Sequence, residues 1–516
     1  MKMSALLINP PSAGSYRSKI MVGDSLALSV VGGKLLSLDW SVDVKDCFLN
    51  QWSIEDLFED MERGNLDTCQ LIGITIMHVS LLPSVESIIM RLRKKYPYAY
   101  ILLGGSAPTL DVAPFSSLPV DYIIQGDNLS YLDRVTEQIK MNARPEKPVV
   151  IHAEYGKEPL YRYAQVYRPD LEKSFRQDPI IIVEASRGCY GKCHFCTINY
   201  EYGSAWKPRD LNCLERELRQ IRAAVPECKQ IRFADANFLG GKKQDYDRVI
   251  QISELLKDFS FHFRIECRPN DINRDLFALL HRNGLCGVFI GVENGGGAIL
   301  KMLRKGITST QSLQAVTILQ ELRISYSFGF MMITPYTNDQ GIHQNIRFLR
   351  QLKYGIRWKH FFSALLILRE GTFKNTIPPV EDYEKNIGYH CTCDLCRKIL
   401  RFHSLCLQNH LKTLELEHTI GITIERGKEA RDSFYWCLDE NFSNMLLDTF
   451  EKLIIDLSST RDSFESLRKL SQLYMRELNQ ALHILKDEIV SHGIPSGVLI
   501  TMIKDKIFGD VNGKDI

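Results

Sequence analysis

Between residue 1 and about residue 140 the chain alternates short apolar runs with stretches whose apolar residues recur at helical spacing. The runs ALLIN (5–9), SVDVKDC (41–47), LIGITIM (71–77), AYILLGG (99–105) and VDYIIQG (120–126) read as strands. Between them GDSLALSVVGGKLLSL (23–38), SIEDLFEDMERG (53–64) and PSVESIIMRLRKKYP (83–97) read as helices. Strand–helix units of this length predict a parallel sheet with helices on both faces, here a doubly wound, flavodoxin- or Rossmann-like domain over residues 1–140. Such sheets take ligands beyond the carboxyl ends of their strands. The turns NPPS (9–12), GGSAPTL (104–110) and QGDN (125–128) fall at those ends, and ordinary glycine turns would look the same.

Residues 141–179, rich in Pro and Tyr, read as an irregular linker. Alternation resumes at 180 with six expected strands: PIIIVEAS, QIRFADANF, FHFRIEC, GVFIGVEN, SYSFGFMMI and HFFSALLIL. Six strands with helices between them over residues 180–384 predict a partial α/β barrel, since a closed eightfold barrel needs more chain. From 385 to 516 the spacing turns helical, with DENFSNMLLDTFEKLIIDL (439–457) and SFESLRKLSQLYMRELNQALHILKDEIV (463–490) as long amphipathic segments.

Composition narrows the function. With 516 residues, 45% hydrophobic and 24% charged, the chain is globular and too long for one core. A net charge of +2 and no nucleic-acid motif make a nucleic acid an unlikely partner. The longest apolar stretch, LIGITIMHVSLLPSVESIIM, is interrupted by His78, Ser80, Pro83 and Glu86, so no membrane span is expected. The N-terminus has no signal-peptide pattern, and the expected location is the cytoplasm. There, clustered thiols point to metal or redox chemistry rather than disulfides.

Of the 14 cysteines, two groups are clustered. Cys189, Cys193 and Cys196 lie in SRGCYGKCHFCTINY (186–200), just after an expected strand and among glycines that let a loop wrap three thiolates round a metal centre. Thiolates suit zinc or iron–sulfur clusters, and a structural zinc would need a fourth ligand such as His194. Phe195 directly before the last cysteine, and the order of the segments that follow, resemble the radical S-adenosylmethionine (SAM) superfamily. Those segments are IRFADANFLG (231–240), FRIECRPNDI (263–272), GVFIGVENGGGAILKMLRKGIT (287–308), FGFMMITPYTN (328–338) and LILREGTF (366–373). The resemblance implies a 4Fe–4S cluster on Cys189, Cys193 and Cys196, with SAM on the uncovered iron. It also implies one-electron cleavage of SAM to a 5′-deoxyadenosyl radical, driven by a flavodoxin- or ferredoxin-type donor. Glu293 and, more weakly, Asp235 become candidate SAM neighbours. Arg264 or Arg268 could instead pair with Glu293 as a structural bridge. Where the family commonly has Ser after that Glu, this chain has Asn294.

Beside that resemblance, LLINPP (6–11), ILLGGSAPTL (101–110) and VDYIIQGDN (120–128) are similar to the cobalamin-binding domain that precedes many such enzymes. Gly104, Gly105, Ser106 and Gly126 are then its candidate cofactor contacts. The chain lacks an Asp-x-His-x-x-Gly motif, so no histidine ligand to cobalt is implied at that position. The second group, Cys391, Cys393 and Cys396, suits a structural zinc, an auxiliary iron–sulfur cluster or free thiols. His390, His403, Cys406, His410 and His418 are the candidate fourth ligands. The expected function is radical chemistry on a small molecule of natural-product type. It is either cobalamin-dependent C-methylation or cobalamin-independent dehydration, deoxygenation, epimerisation or rearrangement. An RNA-modifying or RNA-binding protein is the alternative of another class.

Overall fold

The computed structural model describes residues 2–11, 23–64, 69–153, 166–202, 205–241, 243–365, 391 and 393–493. The chain forms two compact units, one of residues 1–190, 197–240 and 258–261, the other of residues 191–196, 241–257 and 262–516.

The first unit opens with six strands: β1 (Ser4–Asn9), β2 (Ser41–Asp46), β3 (Leu71–Thr75), β4 (Tyr100–Gly104), β5 (Tyr122–Gly126) and β6 (Val149–Ala153). They pair in parallel in the order β2-β1-β3-β4-β5-β6. Strand β3 is buried throughout, as its unbroken apolar run requires of a strand covered on both faces. The edge strand β2 is only half-buried and correspondingly polar. The order reverses between β1 and β3, so the chain leaves the sheet in opposite directions there and opens a crevice beyond their carboxyl ends. Helix starts follow local capping chemistry. Ser53 and Asp56 cap Ile54–Arg63 reciprocally, and the Ser25 hydroxyl accepts the Leu28 N–H at 3.4 Å to start Leu26–Ser37.

The stretch 141–179 is not irregular throughout, which corrects the sequence reading. Its residues 149–153 pair with β5 as β6, and Leu171–Gln177 is a helix. Arg168, in the same stretch, is buried between Asp24 (Nε–Oδ2 2.7 Å) and Glu217 (2.9 Å), and Glu217 also pairs with Arg209. This chain of opposite charges ties the approach to the first helix, the 141–179 stretch and the helix Leu211–Ala224 together. Also in this unit are β7 (Ile180–Val183) and β10 (Gln230–Phe233), a parallel pair, and β8 (Ser186–Gly188) and β9 (Trp206–Pro208), an antiparallel one.

In the second unit β11 (His262–Cys267), β12 (Leu285–Glu293) and β13 (Ser325–Phe330) are parallel neighbours. Five of the six strands expected from residue 180 are thus in place as β7, β10, β11, β12 and β13. The sixth is corrected in its first half: Trp358–Phe362 is helical and Ala364 makes a single parallel bridge to Ile333. Residues 366–390, including LILREGTF, lie outside the described residues. Four helices follow among the described residues, Asp394–Asn409, Leu411–Glu429, Ser433–Ser459 and Phe464–His492. Asp439 on the third is fully buried and takes Arg357 at 2.8 Å together with Lys428, while Arg264 of β11 reaches Glu429 at 3.0 Å. Those ion pairs dock the helical region on the strands of its own unit. No described helix is long and apolar enough to cross a membrane.

Burial would raise the pKa of Asp24, but the Arg168 guanidinium outweighs it and holds the carboxyl below its usual 3.8. An acid with a depressed folded-state pKa stabilises the protein above the unfolded value and loses that contribution as the pH falls through the folded one. Asp24→Asn is therefore expected to cost about 3–5 kcal/mol near neutral pH, the cost of leaving a buried charge uncompensated. Urea unfolding in acid, below the depressed pKa, should find that difference largely closed.

Candidate functional site

Gly104, Gly105, Ser106 and Gly126, from the ends of β4 and β5, all line one cavity of about 440 Å³ in the first unit. Its floor is apolar, with Leu7 and Ile74 from β1 and β3. Two of the glycines are there because the backbone turns with positive φ. At Gly105 (φ +107°) a Cβ would lie 2.6 Å from the Ile76 carbonyl oxygen, and at Gly126 (φ +104°) it would collide with that of Ala153. The Ser106 hydroxyl hydrogen-bonds Glu201, whose carboxyl burial pushes upward. Glu201 and Tyr202 sit on a short helix, Ile198–Tyr202, and line the same cavity, as do Asp127 and Arg187. Arg187 bridges Asp127 at 2.8 Å and Glu184 at 2.7 Å. Burial raises the Asp127 pKa, with Arg187 opposing the shift. Asp127 lies in the QGDN turn already singled out, whereas periodicity and turn chemistry gave no signal for Arg187, Glu201 and Tyr202, which come from segments far from β4 and β5 in the chain.

Asp235, just past the end of β10, accepts the Ala185 N–H at 2.9 Å and the Ser186 hydroxyl. Trp206 donates its indole N–H to Ser186 Oγ at 3.0 Å and to the Asn237 carbonyl at 2.8 Å. Asp235 thus braces the segment that leads into Cys189. Gly188 precedes that cysteine at φ +78°, where a Cβ would collide with the Ala205 carbonyl of the facing strand segment.

In the second unit the loop holding Cys193 and Cys196 rests on the turn after the helix Gly297–Met302. The His194 N–H donates to the Leu303 carbonyl at 3.0 Å, and the Lys305 ammonium lies 5.9 Å from the centroid of the Phe195 ring. Lys305 also meets Glu293, Nζ to Oε1 2.8 Å, with both side chains almost wholly buried. Glu293 ends β12 with φ +68°, a strained conformation for a side chain of its size. A register shift in the β12–β13 pairing falls between Gly291 and Glu293, and the Glu293 carbonyl accepts the Met331 N–H. Neither Arg264 nor Arg268 is the cation found on Glu293: Arg264 turns to Glu429, and Arg268 donates Nη1–H to Cys193 Sγ at 3.4 Å. Three cysteines in a glycine-containing loop are a donor set of the kind that binds iron. The donor set fits a cluster.

Cys391, Cys393 and Cys396 are buried. Cys393 caps the helix Asp394–Asn409, its sulfur accepting the Cys396 N–H at 3.4 Å and lying 3.0 Å from Asp339 Oδ1. Asp339, missed in the sequence, opens the helix after β13 and lies 54 positions before Cys393. The Cys393 thiol and burial together hold Cys396 well above the usual thiol range. Among the described residues no group of three or more His, Cys, Asp or Glu side chains closes on one metal ion. Three thiolates on different irons of a cubane stand further apart than ligands of a single ion, so this bears on zinc at the second group and not on a cluster at the first. The zinc expectation finds no support in this geometry, and His390 lies outside the described residues.

Residues 183–349 match the model of the radical SAM superfamily, so this stretch is a radical SAM domain and the protein is an enzyme of the radical SAM type. Such a domain works with a 4Fe–4S cluster and SAM. The chain is 21% identical over 438 residues to an uncharacterized methyltransferase of Pyrococcus horikoshii, covering 77% of this chain and 91% of that protein. It is 24% identical over 384 residues to the anaerobic magnesium-protoporphyrin IX monomethyl ester cyclase of Synechocystis, covering 68% and 72%. Its fold is similar to that of OxsB, a cobalamin-dependent SAM radical enzyme solved with aqua-cobalamin and SAM bound, at TM-score 0.71 and 15% identity over 100% of this chain and 85% of that one.

Lys305→Met strands a buried carboxylate and is expected to lower stability by about 3–5 kcal/mol, whereas Glu293→Gln with Lys305→Met should recover most of it. Denaturant unfolding of the three proteins measures this.

Proposed function

We propose that this enzyme binds cobalamin in the cavity of its first unit and transfers a methyl group to an unactivated carbon of a small molecule. The observation that carries the reading is the cavity itself. It collects the turns at the carboxyl ends of β4 and β5, which the sequence matched to a cobalamin-binding domain, over an apolar floor. Gly104, Gly105 and Gly126 form the turns that line it, and Ser106, Asp127 and Arg187 supply polar groups. The methyltransferase named among the relatives supports the methyl-transfer outcome. The cyclase named there supports a second reading, in which the same radical step ends in ring formation or another rearrangement.

Cys189, Cys193 and Cys196 are the residues that would hold the cluster, and Glu293 is the carboxylate that would lie by SAM. When bound, the cluster supplies the single electron that cleaves SAM. The protein's own contribution is to hold the thiol loop through the Leu303 and Lys305 contacts and to keep a charged carboxylate dry beside its ammonium partner. An external one-electron donor of flavodoxin or ferredoxin type is needed. Residues 1–140 would then form the cobalamin domain, 180–384 the radical SAM barrel and 385–516 the helical domain.

Anaerobic purification with reconstituted iron and sulfide, followed by desalting with and without cobalamin, tests this. Retained cobalt absorbance bands and 5′-deoxyadenosine formed from SAM under reduction are expected. Cys193→Ala should lose the iron and the 5′-deoxyadenosine and keep the cobalamin. A wild-type protein that passes through desalting free of cobalt while still cleaving SAM would replace methylation by the second reading.

A further inference from the structure

Arg268 directly follows β11, is only 6% exposed and faces two acceptors from distant parts of its unit. Nη1–H donates to Cys193 Sγ at 3.4 Å, and Nη2–H donates to the backbone carbonyl of Lys305. Lys305 in turn holds Glu293 at 2.8 Å and lies against Phe195, the residue between His194 and Cys196. The thiol loop, the turn that carries Lys305 and the end of β11 are therefore joined at one guanidinium. A planar fork can serve two such acceptors at once, whereas an ammonium is a single point charge.

We propose that Arg268 is a positioning residue that sets the reduction potential of the cluster. This rests on the reading that Cys193 is a cluster ligand. A cation hydrogen-bonded to a ligating sulfur stabilises the more negative, reduced state and so raises the potential. The cluster must reach a reduced state before SAM can be cleaved, so the guanidinium lowers the demand on the external donor. Because the second arm of the fork holds the Lys305 backbone, the same residue keeps the sulfur and the Glu293 carboxylate at fixed places along one hydrogen-bonded path. Its location is independent of the three-cysteine spacing, which specifies ligands and not the charge beside them.

The test is a redox titration of the reconstituted cluster in wild-type protein, Arg268→Lys and Arg268→Gln. It is followed by electron paramagnetic resonance of the reduced state, with iron and sulfide content measured on each sample. The midpoint of Arg268→Gln is expected to move to a more negative potential at unchanged iron content, with Arg268→Lys between the two. Equal midpoints in wild type and Arg268→Gln at equal iron content would overturn the role of Arg268 and leave the cluster reading standing. If Arg268→Gln does not retain the cluster, Arg268→Lys decides: a displaced midpoint supports the proposal and a wild-type midpoint overturns it. Failure of the wild-type protein to take up any 4Fe–4S cluster would remove the ligand reading and the proposal together.

Discussion

Burying a carboxylate at the end of a strand costs several kcal/mol unless a cation meets it, and in the second unit that cation is Lys305. Lys305 reaches Glu293 because the chain turns back after the helix Gly297–Met302, with Arg304 at φ +47° and the Lys305 N–H donating to the Leu300 carbonyl. The turn thereby offers the Leu303 carbonyl to the thiol loop and the Lys305 carbonyl to Arg268. The loop 191–196, with Phe195 as its one large apolar side chain, has little apolar surface with which to fold by itself. It acquires a conformation by hydrogen bonding to a turn already fixed by the ion pair. The strained φ of Glu293 fits this dependence, since backbone strain persists where surrounding contacts over-determine it.

A different constraint governs the first unit. All its N-terminal strands run the same way, so every loop that follows a strand emerges at one edge, and the reversal between β1 and β3 keeps that edge open. Side chains from the sheet supply an apolar floor, whereas polar groups come from loops and from the later helix Ile198–Tyr202. The division matters for a large ligand with an apolar body and a polar rim. The turns at 105 and 126 have glycine because φ is positive there and a Cβ would meet the carbonyls of Ile76 and Ala153.

Much of this architecture was readable because parallel buried strands leave unbroken apolar runs, as in LIGITIM and YILLG. The misreadings arose where periodicity carries little information. VVIHA is a short strand with Val149 and His152 exposed, and its pairing with β5 makes it one. HFFSALLIL is apolar without a clear period, and such runs do not distinguish a strand from a buried helical turn. At the site, the cysteines and glycines were legible because their spacing and type are local. Arg187, Glu201 and Asp339 were not, and Arg268 stood out only as a candidate partner for Glu293, because a side chain's partner across a fold leaves no mark in the spacing around it.

The two thiol groups illustrate how far spacing alone can go. Each has three cysteines within eight residues, each lies near the start of a short or long helix, and each contains a C-x-x-C step. Their surroundings have opposite electrostatic sense. Beside Cys193 stands a guanidinium, which would offset the accumulating negative charge of a reduced cluster. Beside Cys393 stands the Asp339 carboxylate, and the next thiol, Cys396, is held protonated by Cys393 and by burial. A second thiolate there would face both a carboxylate and another sulfur in a poorly solvated place, at a cost that the hydrogen-bonded thiol pair avoids. The nearest charge separates the two groups where the cysteine pattern does not.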